Sequence, residues 1–333
     1  MKALVFHGPR RLAWEEWPEP EPAPGEAVIA VRAVGICGSD LHGYTGESAR
    51  RTAPLVMGHE FTGEVLSVPS GTPGIAVGDR VVARPFIHCG ECEFCRSGRA
   101  NLCRARRYIG TTMHGAMAER VAVPLDNLLP LAPQTSFALG SLTEPLAVAM
   151  HAARQAGELG GKRILVAGGG TIGLLAMIAA RELGAAEIAI TEPIAARRAI
   201  ALDLGADAAI DPARPEQRDA LREFDVAFDA LGIAATFAQA LDALRPGGTL
   251  VALGGWRTVP VDLARIVVRE IAVRGSFNFT PADFVDAKSW LEQRRFAAER
   301  LLTTMALAEG ASAFEGLVER RIDAVKLVLT NER

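Results

Sequence analysis

Between Val34 and Glu60 the chain reads VGICGSDLHGYTGESARRTAPLVMGHE. It carries a thiol at Cys37, an imidazole at His59 with the Glu60 carboxylate beside it, and a second imidazole at His42. Thiolate, imidazole and carboxylate are the ligand types zinc accepts, and a catalytic zinc takes three protein ligands and keeps one position open. A lone cysteine or histidine is ordinary packing, so the reading depends on the rest of the chain.

A second cluster follows at CGECEFCRSGRANLC, where Cys89, Cys92, Cys95 and Cys103 have the spacing Cys-x2-Cys-x2-Cys-x7-Cys. Four thiolates this close in sequence can close a tetrahedron around zinc and leave no room for substrate, so the lobe 89–103 is structural. An iron-sulfur run would have a last gap of three followed by proline; here the gap is seven and Arg104 follows. A nucleic-acid-binding ribbon would use the arginines around the lobe, but these also fit a solvated face.

The third signal is GGGTIG, in which Gly168, Gly170 and Gly173 fit G-x-G-x-x-G between the apolar run KRILVAG and the helical pattern LLAMIAARELGA. Such a turn brings backbone N–H groups of Gly170, Thr171 and Ile172 to a pyrophosphate at a helix N-terminus. The next strand, EIAIT, ends at Glu192, nineteen residues beyond Gly173. An acid there accepts hydrogen bonds from the adenosine ribose hydroxyls and repels a 2′-phosphate, which favours NAD over NADP. Arg197 and Arg198 point the other way if one of them meets that phosphate; on a solvated helix face they do not.

These groups need elements to hold them. The opening MKALVFHG, the segment 27–33, Phe61 to Val68 and Asp79 to Ala83 are β-rich and separated by proline and glycine turns. LTEPLAVAMHAAR then begins a helix, with Glu144 and Pro145 in its first turn. From Lys162 to about residue 277, apolar strands alternate with helices, the pattern of a doubly wound parallel sheet. The last stretch, ending RIDAVKLVLT, returns to the first domain. The expected fold is therefore α/β: a β-rich catalytic domain at 1–145 and 280–333, and a cofactor domain at 146–279. A chain of 333 residues, 49% hydrophobic, can bury a core in each. A net charge of −3 supplies no broad basic field, which argues against nucleic acid and membrane partners and for a small molecule. No apolar run is long enough to span a bilayer, and the odd cysteine count fits metal ligands in a reducing cytoplasm.

In this order, GICGSDLH at 35–42, GHE at 58–60, GDRV at 78–81, the four-cysteine lobe, TEPLAVAMHA at 143–152 and the glycine turn resemble the zinc-containing medium-chain dehydrogenase/reductase family, across essentially the whole chain. The polyol (sorbitol) and threonine dehydrogenase branch is the most similar. The resemblance implies a GroES-like catalytic domain around an inserted Rossmann domain, with the active site in the cleft between them and homodimers or homotetramers as the assembly. It implies two zinc ions per chain, one catalytic and one structural. Cys37 and His59 then hold the catalytic ion, completed by Glu60, by Glu144 (where alcohol dehydrogenases proper have a cysteine) or by both. Ser39 and His42 match the family's proton relay, and Asp40 steadies a ligand histidine.

The resemblance implies oxidation of a secondary alcohol of a polyol, sugar or related metabolite by NAD. A 3-hydroxy amino acid or simple alcohol dehydrogenase is the alternative, and a non-catalytic nucleotide-binding relative a third. Tyr44, Arg50, Arg51, His114, Trp256 and Phe279 lie on loops that could face the substrate, although a solvated loop suits the two arginines better.

Overall fold

The computed structural model describes residues 1–48, 50–218, 220–255 and 258–331; Trp256 lies outside them. The chain divides into one unit of Met1–Glu144 with Phe284–Arg333 and a second of Pro145–Asp283. The expected boundaries were 145/146 and 279/280. Residues 280–283 go with the second unit because Asp283 accepts a hydrogen bond from Thr280 and pairs with His151 at 2.9 Å and with Arg154.

The first unit is β-rich. Strands β1 (Lys2–Gly8) and β2 (Arg11–Glu16) form a hairpin that β4 (Leu55–Val56) extends. The main sheet joins β3 (Glu26–Gly35), β5 (Glu60–Ser67), β6 (Arg80–Ala83), β9 (Arg120–Pro124) and β10 (Leu128–Pro130). Far later in the chain come β17 (Leu302–Ala306) and β18 (Lys326–Thr330), giving the order β10-β6-β5-β3-β18-β17, with β9 also paired to β3. A small pair, β7 (Phe86–Ile87) and β8 (Arg107–Tyr108), flanks the four-cysteine lobe. In β3, buried and half-buried residues alternate from Glu26 until the strand is fully buried near Val34, as expected where one sheet face meets a core and the strand end is covered on both sides. Leu4, Ile29, Phe61, Met117 and Phe314 are among the side chains that fill that core.

The second unit holds six strands, β11 (Arg163–Ala167), β12 (Glu187–Thr191), β13 (Ala208–Ile210), β14 (Phe224–Asp229), β15 (Leu244–Ala252) and β16 (Ala272–Gly275). All pair in parallel, in the order β13-β12-β11-β14-β15-β16. Renumbered within the unit this is 3-2-1-4-5-6, the doubly wound order that places a switch point beside the first strand. Apolar runs such as ILVA at 164–167 are buried throughout because helices cover both faces of a parallel sheet.

Candidate active site

Cys37 follows the end of β3 and caps the helix Gly38–Thr45; its backbone N–H donates to Asp40 Oδ2 at 3.1 Å. His59 immediately precedes β5 and Glu60 opens it, and the register places Glu60 directly opposite Gly35. Two adjacent, antiparallel strand ends therefore deliver the three candidate ligands. The Cys37 sulfur, a His59 ring nitrogen and a Glu60 carboxylate oxygen all lie within 4.8 Å of one another. Gly35 makes that approach possible, since a Cβ there would sit 2.2 Å from Glu60 Oε2.

Glu60 is also held by a residue the sequence reading did not single out. Lys326, the first residue of β18, is 2% exposed; its ammonium pairs with Glu60 Oε2 and donates to the Ile36 carbonyl at 3.0 Å. Burial works against the charge on Lys326, and the Glu60 and Cys37 charges more than offset it, so its pKa is raised. The available signal was a lone cation entering the apolar run LVL of a terminal strand.

Glu144 is buried on the helix Thr143–Gln155 and does not join the group of ligand atoms within 4.8 Å. Its carboxyl is pushed up to about 7, first by burial and then by the Glu60 charge. Two carboxylates in one buried region cannot both keep a full charge without a cation between or beside them. The donors therefore suit a divalent ion: a thiol, an imidazole and an excess of carboxylate in a site shielded from water.

Asp40 is fully buried, with Oδ1 3.5 Å from His59 Nδ1, an ion-pair separation. Burial opposes its charge, but His59 and Arg51 outweigh that and hold the carboxyl well below the usual range. Burial likewise opposes a charged His59 ring, which Asp40 raises well above its ordinary value. Arg51 corrects the solvated-loop expectation. It is buried and donates to Asp40 Oδ1 at 2.7 Å, to the Ser39 carbonyl at 2.8 Å and to Ser39 Oγ at 3.3 Å. Ser39 and His42 lie three residues apart on the Gly38–Thr45 helix, hence on one face. His42 Nδ1 is 3.2 Å from Glu47 Oε2.

Two pocket candidates are packing residues instead: Tyr44 stacks edge-on against Phe314 at 5.5 Å, and Phe279 is fully buried. His114 is exposed; its Nδ1 accepts from the Val56 amide at 3.3 Å, with Trp17 at the ring edge. Arg50 remains exposed.

In the lobe, Cys92 and Cys95 sulfurs are 3.5 Å apart, Cys89 and Cys103 3.6 Å, and Cys89 and Cys95 3.9 Å. Four sulfurs about 2.3 Å from a tetrahedral zinc lie about 3.8 Å from one another, so the cage fits that ion. Backbone N–H groups of Glu91 and Cys92 pull the Cys89 thiol down to about 6, whereas burial and Cys92 push the Cys95 thiol up to about 12.

In the second unit, Gly168, Gly170 and Gly173 form the turn from β11 into the helix Thr171–Glu182, whose N-cap is Gly170. A Cβ at Gly173 would lie 1.8 Å from the Gly168 carbonyl oxygen, so only glycine permits the crossing. A Cβ at Gly170 would meet nothing within 4 Å, which leaves the helix N-terminus open to a phosphate. Glu192, just after β12, is buried; Oε2 accepts from the Gly169 amide at 2.8 Å and Oε1 from the Ile194 amide at 2.9 Å. Arg198 donates to the Glu192 and Pro193 carbonyls, while Arg197 is half-buried on the helix Ala195–Asp203.

Comparison with known families gives two matches: an alcohol dehydrogenase GroES-like domain at residues 23–133 and a zinc-binding dehydrogenase domain at 171–293. The chain belongs to the zinc-binding dehydrogenase family. It is 32% identical to a sorbitol dehydrogenase of Halalkalibacterium halodurans, covering 99% of each chain. It is also 32% identical to an L-threonine 3-dehydrogenase of Chelativorans, covering 97% of this chain and 92% of that one. Among solved structures, a zinc-binding dehydrogenase of Sinorhizobium meliloti bound to NADP superposes with a TM-score of 0.91 at 30% identity, over 99% of both chains. The fold is thus the GroES-like and Rossmann pair of this family of alcohol-oxidising enzymes. Among the described residues no helix is long and apolar enough to cross a membrane.

Proposed function

We propose that this chain oxidises a secondary alcohol of a polyol, sugar or related hydroxylated metabolite to the ketone, with NAD as acceptor. The observation that carries the reading is the Cys37, His59 and Glu60 triplet within 4.8 Å, on a chain that also has an open glycine turn with the acid Glu192 held against it. Cys37, His59 and Glu60 would hold the catalytic zinc, with Glu144 behind them, and Cys89, Cys92, Cys95 and Cys103 the structural one. When bound, zinc supplies Lewis acidity toward the alcohol oxygen, and the nicotinamide supplies the hydride acceptor.

The remaining work falls to side chains. Ser39 takes the alcohol proton at Oγ. His42, partly exposed on the same helix face, passes it to water. Gly170, Thr171 and Ile172 offer the helix N-terminus to the pyrophosphate. Glu192 accepts the ribose hydroxyls and disfavours a 2′-phosphate, while Arg197 is the residue that would tolerate one. We assign substrate chemistry to Met1–Glu144 with Phe284–Arg333, and the cofactor to Pro145–Asp283. The threonine dehydrogenase relative supports a 3-hydroxy amino acid as the second substrate class.

Five unpaired cysteines fit a cytoplasmic location. A homodimer or homotetramer is supported by Leu263, Val267 and Val268 on one short helix, 66%, 65% and 81% exposed, next to the outer edge of β16, which pairs with no further strand among the described residues. The test is NAD reduction, followed at 340 nm, across polyols, sugars, sugar acids and amino alcohols. Turnover confined to amino alcohols would move the assignment to the second class, and no turnover with zinc-replete protein would refute both.

A further inference from the structure

The buried guanidinium of Arg51 lies behind the proposed relay. Its side chain is 2% exposed, and among the described residues its three hydrogen bonds end on two consecutive residues, Ser39 and Asp40. Nη1 fixes the Ser39 backbone at its carbonyl. Nη2 is shared between Ser39 Oγ and Asp40 Oδ1. Asp40 is itself anchored by the Cys37 amide at 3.1 Å. The arginine stem fits a groove in the helix, since a Cβ at Gly43 would come within 2.6 Å of Arg51 Cδ.

A guanidinium only donates, and it does not give up its proton. The contact with Ser39 Oγ therefore occupies one lone pair of the hydroxyl. What remains is one lone pair, which can receive a proton, and one O–H, which can pass a proton on. That division of roles is what a relay hydroxyl needs. Without the fork, the hydroxyl rotates among its staggered positions and takes local backbone acceptors instead.

We infer that Arg51 is a positioning residue for proton release: it acts through Ser39, setting the direction of the hydroxyl while its other nitrogen steadies the serine backbone. This rests on the reading of Ser39 as the relay.

The test uses full-length, zinc-replete protein and the best substrate from the 340 nm screen. Arg51→Lys keeps the positive charge for Asp40, but a single ammonium cannot reproduce the fork. Turnover at saturation should fall about tenfold with KM changed less than about threefold, because the proton step and not binding is impaired. Raising the concentration of a hindered tertiary-amine buffer, which does not coordinate zinc, should restore much of the loss in the variant and leave the wild type unchanged. Zinc content by atomic emission should stay at the wild-type level.

In a double-mutant cycle, Ser39→Ala alone should cost about a hundredfold, and adding Arg51→Lys should cost nothing further, because the two act through one hydroxyl. If Ser39→Ala turns over like the wild type, the relay reading fails and this inference with it. If Ser39→Ala is impaired but Arg51→Lys is harmless, additive with it, insensitive to buffer, or loses activity in step with zinc, the relay stands and the role of Arg51 is overturned. Should Arg51→Lys not fold, Arg51→Gln, which keeps a donor without the charge, enters the same cycle under the same criteria.

Discussion

Replacing Lys326 by methionine gives the most direct reading of the electrostatics at this centre. Glu60 is 1% exposed and Lys326 2%, and the two are in direct contact. At an effective dielectric of about 20, opposite charges some 3 Å apart attract by roughly 5 kcal/mol. Breaking a buried pair by removing one member costs about 3–5 kcal/mol, because the other charge is left behind. A buried carboxylate without its cation can escape by taking up a proton. That costs about 1.4 kcal/mol per pH unit above the ordinary glutamate value near 4.3, or about 3.7 kcal/mol at pH 7. The two routes agree on about 3–4 kcal/mol, equivalent to roughly 10 °C in the melting point of a unit this size. Zinc would bring its own positive charge to Glu60, so most of the loss should disappear on loading. The assay is urea denaturation of wild type and Lys326→Met, each metal-free after chelation and each zinc-loaded, at pH 7. A loss below about 1 kcal/mol in the metal-free state, or the same loss in both states, would refute the argument that the ammonium and a metal neutralise the same carboxylate.

Other expectations concern separate parts of the molecule. Cys95→Ser should leave about one zinc per chain by atomic emission and lower the thermal midpoint by several degrees, with NADH binding by fluorescence unchanged. Gly173→Ala should abolish NADH binding while the four-cysteine lobe keeps its zinc, because the new Cβ would fall 1.8 Å from the Gly168 carbonyl oxygen. Glu192→Ala should weaken NAD and narrow its advantage over NADP by about tenfold or more in kcat/KM. Asp283 is held down to about 2: burial raises it, and His151 and Thr280 more than compensate. Its unfolded value is near 3.8, so folding depresses it, and the resulting stability of about 2 kcal/mol is present above pH 4 and lost as pH falls toward 2. Asp283→Asn should therefore be about 2 kcal/mol less stable than wild type at pH 7 in denaturation assays, and the gap should close below pH 4.

The parts of the site that could be read from sequence are those whose chemistry is written locally. The four cysteines span fifteen positions, and the glycine turn is framed by an apolar run and a helical run that needed no distant partner to be recognised. Cys37 and His59 were legible as ligand types, and the pairing of β3 with β5 is what unites them. Arg51 and Lys326 were not, because in each case the deciding partner is non-local. Arg51 looks like a loop arginine until Asp40, eleven residues earlier, is seen to be buried beneath it. Lys326 looks like a strand-edge lysine until Glu60, 266 residues earlier, is found against it. Tyr44 and Phe279 were misread for the opposite reason: aromatic residues near a loop look available until the core that covers them is known. Strands of two or three residues, such as β4 and β10, are too short for any alternation to announce them.

The pairing of β18 with β3 also has a consequence in time. Thr330 lies opposite Ala33 and Val328 opposite Gly35, so the ammonium that neutralises Glu60 emerges from the ribosome only after every strand of the nucleotide-binding unit has been translated. Until then the nascent metal centre carries an uncompensated acid, and its sheet lacks the strand on which β17 must dock. Maturation of the chemical centre is thus tied to synthesis of nearly the whole polypeptide, and a chain released before Lys326 could build its dinucleotide turn yet never finish the acid's surroundings.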